Sequence, residues 1–203
     1  MPDRSHHALL VIDVQNDFLN DVPNPDTYRR SLEQLLSFCR TSGIMVYHLR
    51  VSRETDRSNW MPFEILRGSA PGIRDTVGAE TPPWAEAITG EPVIYKDALD
   101  GFLRTDLDDR LHAAGIRHVL IAGLVTSVCV LATSMAAVQR GYLVTVVSDC
   151  VADEEPDHLD TLQRYGGFVF GVVQSWEIAD ARGAFDTQIR DLDHKRQGPG
   201  RSS

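Results

Sequence analysis

The sequence predicts a three-layer α/β fold, in which a doubly wound, mainly parallel sheet is covered by helices on both faces. Short apolar runs alternate along the chain with segments of helical periodicity, and strands that alternate with helices form parallel sheets. Gly43, Gly115 and Gly141 each lie between a predicted helix and the next predicted strand, where glycine commonly ends a helix.

Six apolar runs have the length and composition of buried strands, and four longer segments have helical spacing. The predicted strands cover residues 8–13, 44–49, 92–96, 117–123, 142–148 and 168–173, and the predicted helices cover 27–42, 104–114, 128–140 and 156–166. Because the sequence shows no internal repeat or linker, we predict one domain over residues 1–190. The polar residues 191–203 are expected to form a flexible C-terminal tail.

Composition excludes several classes of function. A chain of 203 residues with 42% hydrophobic and 24% charged residues is typical of a globular domain. The net charge of −9 provides no basic surface for nucleic acid or anionic lipid. The sequence contains no membrane-length apolar run and no signal-peptide pattern, and its three cysteines have no metal-like spacing. We therefore expect a cytoplasmic protein with free thiols.

Three chemically different side chains follow predicted strands. Asp13 ends the first strand, Lys96 ends the third, and Cys129 falls in the turn after the fourth. Since the carboxyl ends of parallel strands open onto one edge of the sheet, where ligands bind, we expect these residues to converge. Each alone has a plainer interpretation, as a solvated charge at a strand end or a buried cysteine. The coincidence of an acid, an ammonium and a thiol favours a catalytic site.

Cys129 is predicted to lie in the first turn of a helix. A thiol there meets the positive end of the helix dipole and unpaired backbone N–H groups, which favour the thiolate. The same N–H groups can stabilise an oxyanion on an attacked carbonyl group. The alternative is a small residue that fills the core, a common place for cysteine.

The motifs around these residues resemble those of the isochorismatase-like cysteine hydrolases, which include nicotinamidases and carbamoyl-amide hydrolases. They are Val-Ile-Asp-Val-Gln-Asn-Asp-Phe at 11–18, Lys-Asp-Ala-Leu-Asp-Gly-Phe at 96–102, and Gly-Leu-Val-Thr-Ser-Val-Cys-Val-Leu-Ala-Thr at 123–133. Their order and spacing match over residues 7–180. The resemblance implies six strands and a catalytic triad of Asp13, Lys96 and Cys129. We expect no cofactor. The resemblance also implies a homo-oligomer, because oligomers are common in the family.

The resemblance further implies a cis peptide bond between Leu124 and Val125. This bond would turn the Val125 N–H toward the same point as the Cys129 N–H. Together the two N–H groups would form an oxyanion hole.

Residues 50–91 show little periodicity and contain several aromatic residues and prolines, as binding loops often do. Trp60 and Phe63 are candidate walls of an apolar pocket, with packing against the sheet as the equal alternative. The predicted substrate-binding residues are Gln15, Phe18, His48, Trp60 and Phe102. One arginine of this segment is a candidate for binding a substrate carboxylate; the set comprises Arg50, Arg53, Arg57, Arg67 and Arg74.

The sequence departs from the nicotinamidase branch of the family at its metal site. That branch has an Asp-x-His pair after the second strand and a further histidine nearby. Here the corresponding segment, residues 47–53, contains only His48, and the next histidine is His112. Since a metal site needs three or more converging ligands, we predict no catalytic metal, and nicotinamide is in doubt as the substrate.

The favoured hypothesis is hydrolysis of a C–N bond in a small amide, ureide, carbamoyl compound or lactam through a Cys129 thioester intermediate. An isochorismatase-type hydrolysis of a vinyl ether, with Asp13 as the acid, is the enzymatic alternative. A non-catalytic scaffold of the same fold is the third hypothesis. The intact triad argues against the scaffold.

Overall fold

All six strands lie in one sheet and run parallel. The computed structural model describes residues 5–20 and 22–197. The strands are β1 (His7–Ile12), β2 (Met45–Val51), β3 (Val93–Lys96), β4 (His118–Leu124), β5 (Leu143–Ala152) and β6 (Gly171–Val173). Their order in the sheet is β3-β2-β1-β4-β5-β6, so the chain reverses its direction of winding between β3 and β4. The predicted doubly wound α/β fold is confirmed.

Helices cover both faces of this sheet. They are α1 (Asn16–Leu19), α2 (Pro25–Thr41), α3 (Pro62–Arg67), α4 (Leu107–Ala113), α5 (Leu131–Gln139), α6 (Asp157–Tyr165) and α7 (Ile178–Gln197). On one face, alternate residues of β1 such as Leu10 pack with α4 and α5. On the other face, Leu9 and Val11 pack with α2 and α7. We call these layers the α4/α5 core and the α2/α7 core.

The structure corrects the predicted tail. Residues 191–197 form the end of α7, whereas residues 198–203 lie outside the described part of the chain. The helix continues because its apolar positions Phe185 and Ile189 are buried. Asp193 extends this attachment by accepting a hydrogen bond of 3.2 Å from Arg117. The long segment 50–91 also differs from the prediction, since it contains α3 and two short 3₁₀ turns.

The start of the predicted helix over residues 128–140 is wound differently. Residues Thr126–Val130 form a π-helical segment, and α5 proper begins at Leu131. Such wider turns are frequent at functional sites. No helix among residues 5–20 and 22–197 combines the length and apolarity needed to cross a membrane.

Gly123 allows β4 to approach β1 closely just before Asp13. Its φ is +119°, and a Cβ atom added to it would lie 2.0 Å from the carbonyl oxygen of Ile12. Both the backbone conformation and the missing side chain are therefore required here. This contact fixes the end of β1 against the end of β4, from which the chain leads to Cys129.

We expect Gly123→Ala to lower the free energy of unfolding by about 2–3 kcal/mol, because backbone atoms on β1 must move. The matched control is Gly183→Ala in α7, where an added Cβ meets no atom within 4 Å. That change should be neutral or stabilise by up to about 1 kcal/mol. Urea denaturation measures both values, and equal stability of the two variants would contradict the close approach.

Candidate active site

Asp13 and Lys96 form a buried ion pair at the carboxyl edge of the sheet. Lys96 Nζ lies 2.7 Å from Asp13 Oδ2 and donates a second hydrogen bond of 2.9 Å to the carbonyl oxygen of Ala98. Both side chains are fully buried. The other oxygen, Asp13 Oδ1, accepts a hydrogen bond of 2.9 Å from the Val51 N–H. The sheet thus brings together two predicted residues that are 83 positions apart.

The ion pair keeps Lys96 charged. Burial alone would lower the pKa of Lys96, but the charge and hydrogen bond of Asp13, with the nearby Cys129, raise it above its ordinary value. Asp13 has a left-handed backbone conformation, with φ of 50°, which aspartate tolerates better than most residues. The turn at Asp13 therefore holds the carboxylate just after the end of β1, within hydrogen-bond distance of the Lys96 ammonium.

Cys129 lies beside this pair, in the π-helical segment, and is only 4% exposed. Burial raises the pKa of the Cys129 thiol, the charge of Asp13 raises it further, and the charge of Lys96 lowers it. The net pKa is above the ordinary value, so the resting site holds a neutral thiol. Burial and the Asp13 carboxylate thus outweigh the Lys96 ammonium in setting this pKa. That Cys129 gives up its proton during catalysis stays a prediction.

The peptide bond between Leu124 and Val125 is cis, and the Val125 carbonyl accepts hydrogen bonds from the Val128 and Val130 N–H groups, both at 3.2 Å. The Cys129 N–H, which lies between them in sequence, does not bond to this carbonyl.

Two side-chain contacts that sequence reasoning missed hold the same segment. Asp153 Oδ2 accepts a hydrogen bond of 2.8 Å from the Ser127 N–H. The Thr126 hydroxyl lies 2.9 Å from His158 Nδ1. No motif marks Asp153 and His158, since their roles depend on how β5 and α6 pack against this turn. They fix the backbone that carries Val125 and Cys129.

Phe18 and Val125 line a cavity of about 470 Å³ together with Arg67 and Asp153. Gln15 is buried and its side-chain amide donates to the carbonyl oxygens of Val51, at 3.1 Å, and Ala79, at 2.8 Å. Phe18 thus shares a cavity with Val125 of the predicted oxyanion hole. Gln15 holds the segment after β2 against the turn after β1.

The other three predicted substrate-binding residues have different surroundings, and their roles stay predictions. His48 pairs with Glu91 at 2.9 Å, and its neighbours Tyr47 and Leu49 point into the α4/α5 core, so His48 faces away from Cys129. Phe102 is buried in the α4/α5 core and stacks on Tyr142. Trp60 is half-buried, and its indole N–H donates to the Glu54 carbonyl at 2.8 Å.

The five candidate arginines have different surroundings. Arg50 pairs with Glu86, Arg53 with Glu64 and Arg74 with Glu54, while Arg57 lies over the Trp60 ring. Arg67 lines the cavity with Phe18 and Val125. Within the described part of the chain, no group of three histidine, cysteine or acidic side chains is arranged to hold a metal ion.

Comparison with known proteins places this site in a family. The family model described as Isochorismatase domain matches residues 7–177. A streptothricin hydrolase from Streptomyces noursei is 33% identical over 157 residues, which cover 73% of this chain and 55% of that protein. The chain therefore spans about half of the length of this relative.

Two further relatives match over most of their length. Maleamate amidohydrolase from Pseudomonas putida is 31% identical over 182 residues, which cover 80% of this chain and 82% of that enzyme. The crystal structure of N-carbamoylsarcosine amidase from Thermoplasma acidophilum is 28% identical and has a TM-score of 0.72. The match covers 83% of this chain and 96% of that one.

We expect Lys96→Met to lower the free energy of unfolding by about 3–5 kcal/mol, because it leaves the Asp13 carboxylate buried without its counter-charge. The double variant with Asp13→Asn removes both charges and should recover most of this loss. Asparagine also tolerates the positive φ at position 13. Urea denaturation at neutral pH provides the comparison, and a single variant as stable as the parent would show that the pair is not buried.

Proposed function

The chain belongs to the isochorismatase domain family, and we propose that it is an amidohydrolase, which cleaves the C–N bond of a small amide, ureide, carbamoyl compound or lactam through a thioester on Cys129. The observation that carries this proposal is the buried pair of Asp13 and Lys96 beside the Cys129 thiol. The pair supplies a base for a thiol that is neutral at rest. It also supplies a fixed positive charge for the thiolate.

In the first half-reaction, the Cys129 sulfur attacks the carbonyl carbon while its proton passes to Asp13. The Lys96 ammonium stabilises the negative charge that develops on sulfur. Asp13 then gives its proton to the leaving nitrogen. The C–N bond breaks, ammonia or an amine departs, and the acyl group remains on Cys129.

In the second half-reaction, Asp13 removes a proton from water, and the resulting hydroxide attacks the thioester carbonyl. The C–S bond breaks, the carboxylic acid leaves, and the proton held by Asp13 returns to sulfur. The N–H groups of Val125 and Cys129 are proposed to bind the oxyanion in both halves. Losing one such donor typically raises the barrier by about 3–4 kcal/mol.

The names of two relatives support amide chemistry, since one is a maleamate amidohydrolase and another an N-carbamoylsarcosine amidase. Vinyl ether hydrolysis remains the second candidate, with Asp13 as the acid that protonates carbon. That reaction needs no nucleophilic thiol, so Cys129 beside the ion pair favours the amidohydrolase. A non-catalytic scaffold would have no use for a buried acid, ammonium and thiol in contact.

The cellular setting is also part of the proposal. Cys39, Cys129 and Cys150 are all free and buried, which agrees with the reducing cytoplasm expected from the sequence. We further propose a small-molecule substrate and a homo-oligomer.

The test is a panel of primary amides, ureides and lactams, assayed for released ammonia or acid. We expect Cys129→Ala to lower kcat/KM for the best substrate by about 10³-fold or more, since it removes the nucleophile. Cys39→Ala is the matched control, because Cys39 is a buried cysteine of α2 in the α2/α7 core. It should retain activity.

Isochorismate is assayed beside the panel. Vinyl ether hydrolysis that survives in Cys129→Ala, without amide turnover in the parent, would establish the second candidate. Amide turnover that is equal in the parent and in Cys129→Ala would refute the thioester route.

A further inference from the structure

Arg53 and Glu64 form a second fully buried ion pair near the first. Arg53 Nε donates to Glu64 Oε2 at 2.8 Å, and Arg53 Nη2 donates to Glu64 Oε1 at 2.9 Å. The side chains are 1% and 2% exposed. Glu64 also accepts a hydrogen bond of 2.7 Å from the Met61 N–H at the start of α3. The guanidinium group therefore has a fixed orientation.

The third nitrogen of this guanidinium, Arg53 Nη1, is buried and has no hydrogen-bond partner within the described residues. Buried polar groups are nearly always hydrogen-bonded, because an unmade bond is costly when water is excluded. A buried donor that lacks an acceptor therefore marks a place where a ligand can complete the bonding.

The position of Arg53 directs it toward the active site. Val51 pairs with Lys96 in the sheet, and the Ser52 N–H donates to the Lys96 carbonyl at 2.9 Å. Arg53 continues the extended strand, in a bridge to Ile73. Since side chains alternate in extended chain, Arg53 lies on the same side as Tyr47 and Leu49 of the α4/α5 core, which contains Cys129.

Electrostatics agree with this placement, because the charge of Arg53 acts to lower the pKa of Lys96. The mechanism proposed above leaves Arg53 unused.

We propose that Arg53 Nη1 is a specificity-determining donor that binds an uncharged carbonyl oxygen of the substrate, distinct from the carbonyl that Cys129 attacks. This inference rests on the proposed amidohydrolase function. It defines the substrate class as amides with a second, neutral carbonyl group, such as diamides and ureides.

The balance of charge selects a neutral acceptor. Glu64 compensates the charge of Arg53, and Asp13 compensates that of Lys96. A neutral carbonyl leaves these four groups balanced, whereas a substrate carboxylate adds an uncompensated negative charge to a buried site. Such a charge is disfavoured where water is excluded.

The test compares three amides of equal chain length: succinamide, succinamate and butanamide. For the parent enzyme we expect kcat/KM for succinamide to exceed that for butanamide by about tenfold or more, beyond the statistical factor of about two for its two equivalent amides. Succinamate should be a poorer substrate than succinamide. A parent that prefers succinamate would overturn the neutral acceptor.

Two variants isolate the guanidinium group. Arg53→Met with Glu64→Gln removes Nη1 without leaving a buried carboxylate, and glutamine can keep the bond to the Met61 N–H. In this variant the ratio of kcat/KM for succinamide to that for butanamide should fall to the statistical factor of about two. Glu64→Gln alone leaves Arg53 uncompensated and should shift the preference toward succinamate. An unchanged ratio of succinamide to butanamide in the double variant would overturn the role of Arg53.

Binding separates this inference from the proposed function. Should the parent hydrolyse none of the three amides, calorimetry with Cys129→Ala still compares their affinities. Succinamide that binds about tenfold more tightly than butanamide, with the difference lost on adding Arg53→Met and Glu64→Gln, would support the donor role. Equal affinities, including no binding of either amide, would refute it.

Discussion

The ion pair between Asp13 and Lys96 is the interaction on which the site depends. Neither charge is in contact with water, so each requires the other. Lys96 is further fixed by the Ala98 carbonyl, and Asp13 by the Val51 N–H. Because these partners lie on or just after neighbouring strands, the pairing of β1 with β2 and of β2 with β3 determines where the acid and the ammonium stand.

The same ion pair acts on the pKa of Cys129, which is raised by burial and by the charge of Asp13. A thiol in a dry site beside a carboxylate stays protonated, which protects it but makes it a poor nucleophile. The carboxylate that raises the thiol pKa is also the group placed to accept its proton. A neutral resting thiol is therefore compatible with nucleophilic chemistry, provided that proton transfer accompanies attack.

The three central residues were predictable because strand ends can be read from short apolar runs, and parallel strands end at one edge. The orientation of His48 could have been predicted from the alternation in β2, which places Tyr47 and Leu49 on the apolar face. His48 lies on the opposite face, with Val46 and Arg50. The spacing of Phe185 and Ile189, which are four residues apart, could have predicted a helix in the C-terminal segment. The capping role of Glu64 could also have been predicted, since Pro62 is the first residue of α3 and Glu64 lies three residues after the N-cap residue Met61. The ion pair between Glu64 and Arg53 could be recognised only from the three-dimensional structure.

Rapid-quench mass spectrometry of the peptide containing Cys129, during turnover of an amide substrate, tests the role of the ion pair directly. We expect an increase in mass equal to the acyl group on Cys129 in the parent. Asp13→Asn should form this adduct far more slowly, because the thiol loses its base. Acid released without any adduct on Cys129, or an adduct formed equally fast in Asp13→Asn, would contradict the central role of the ion pair.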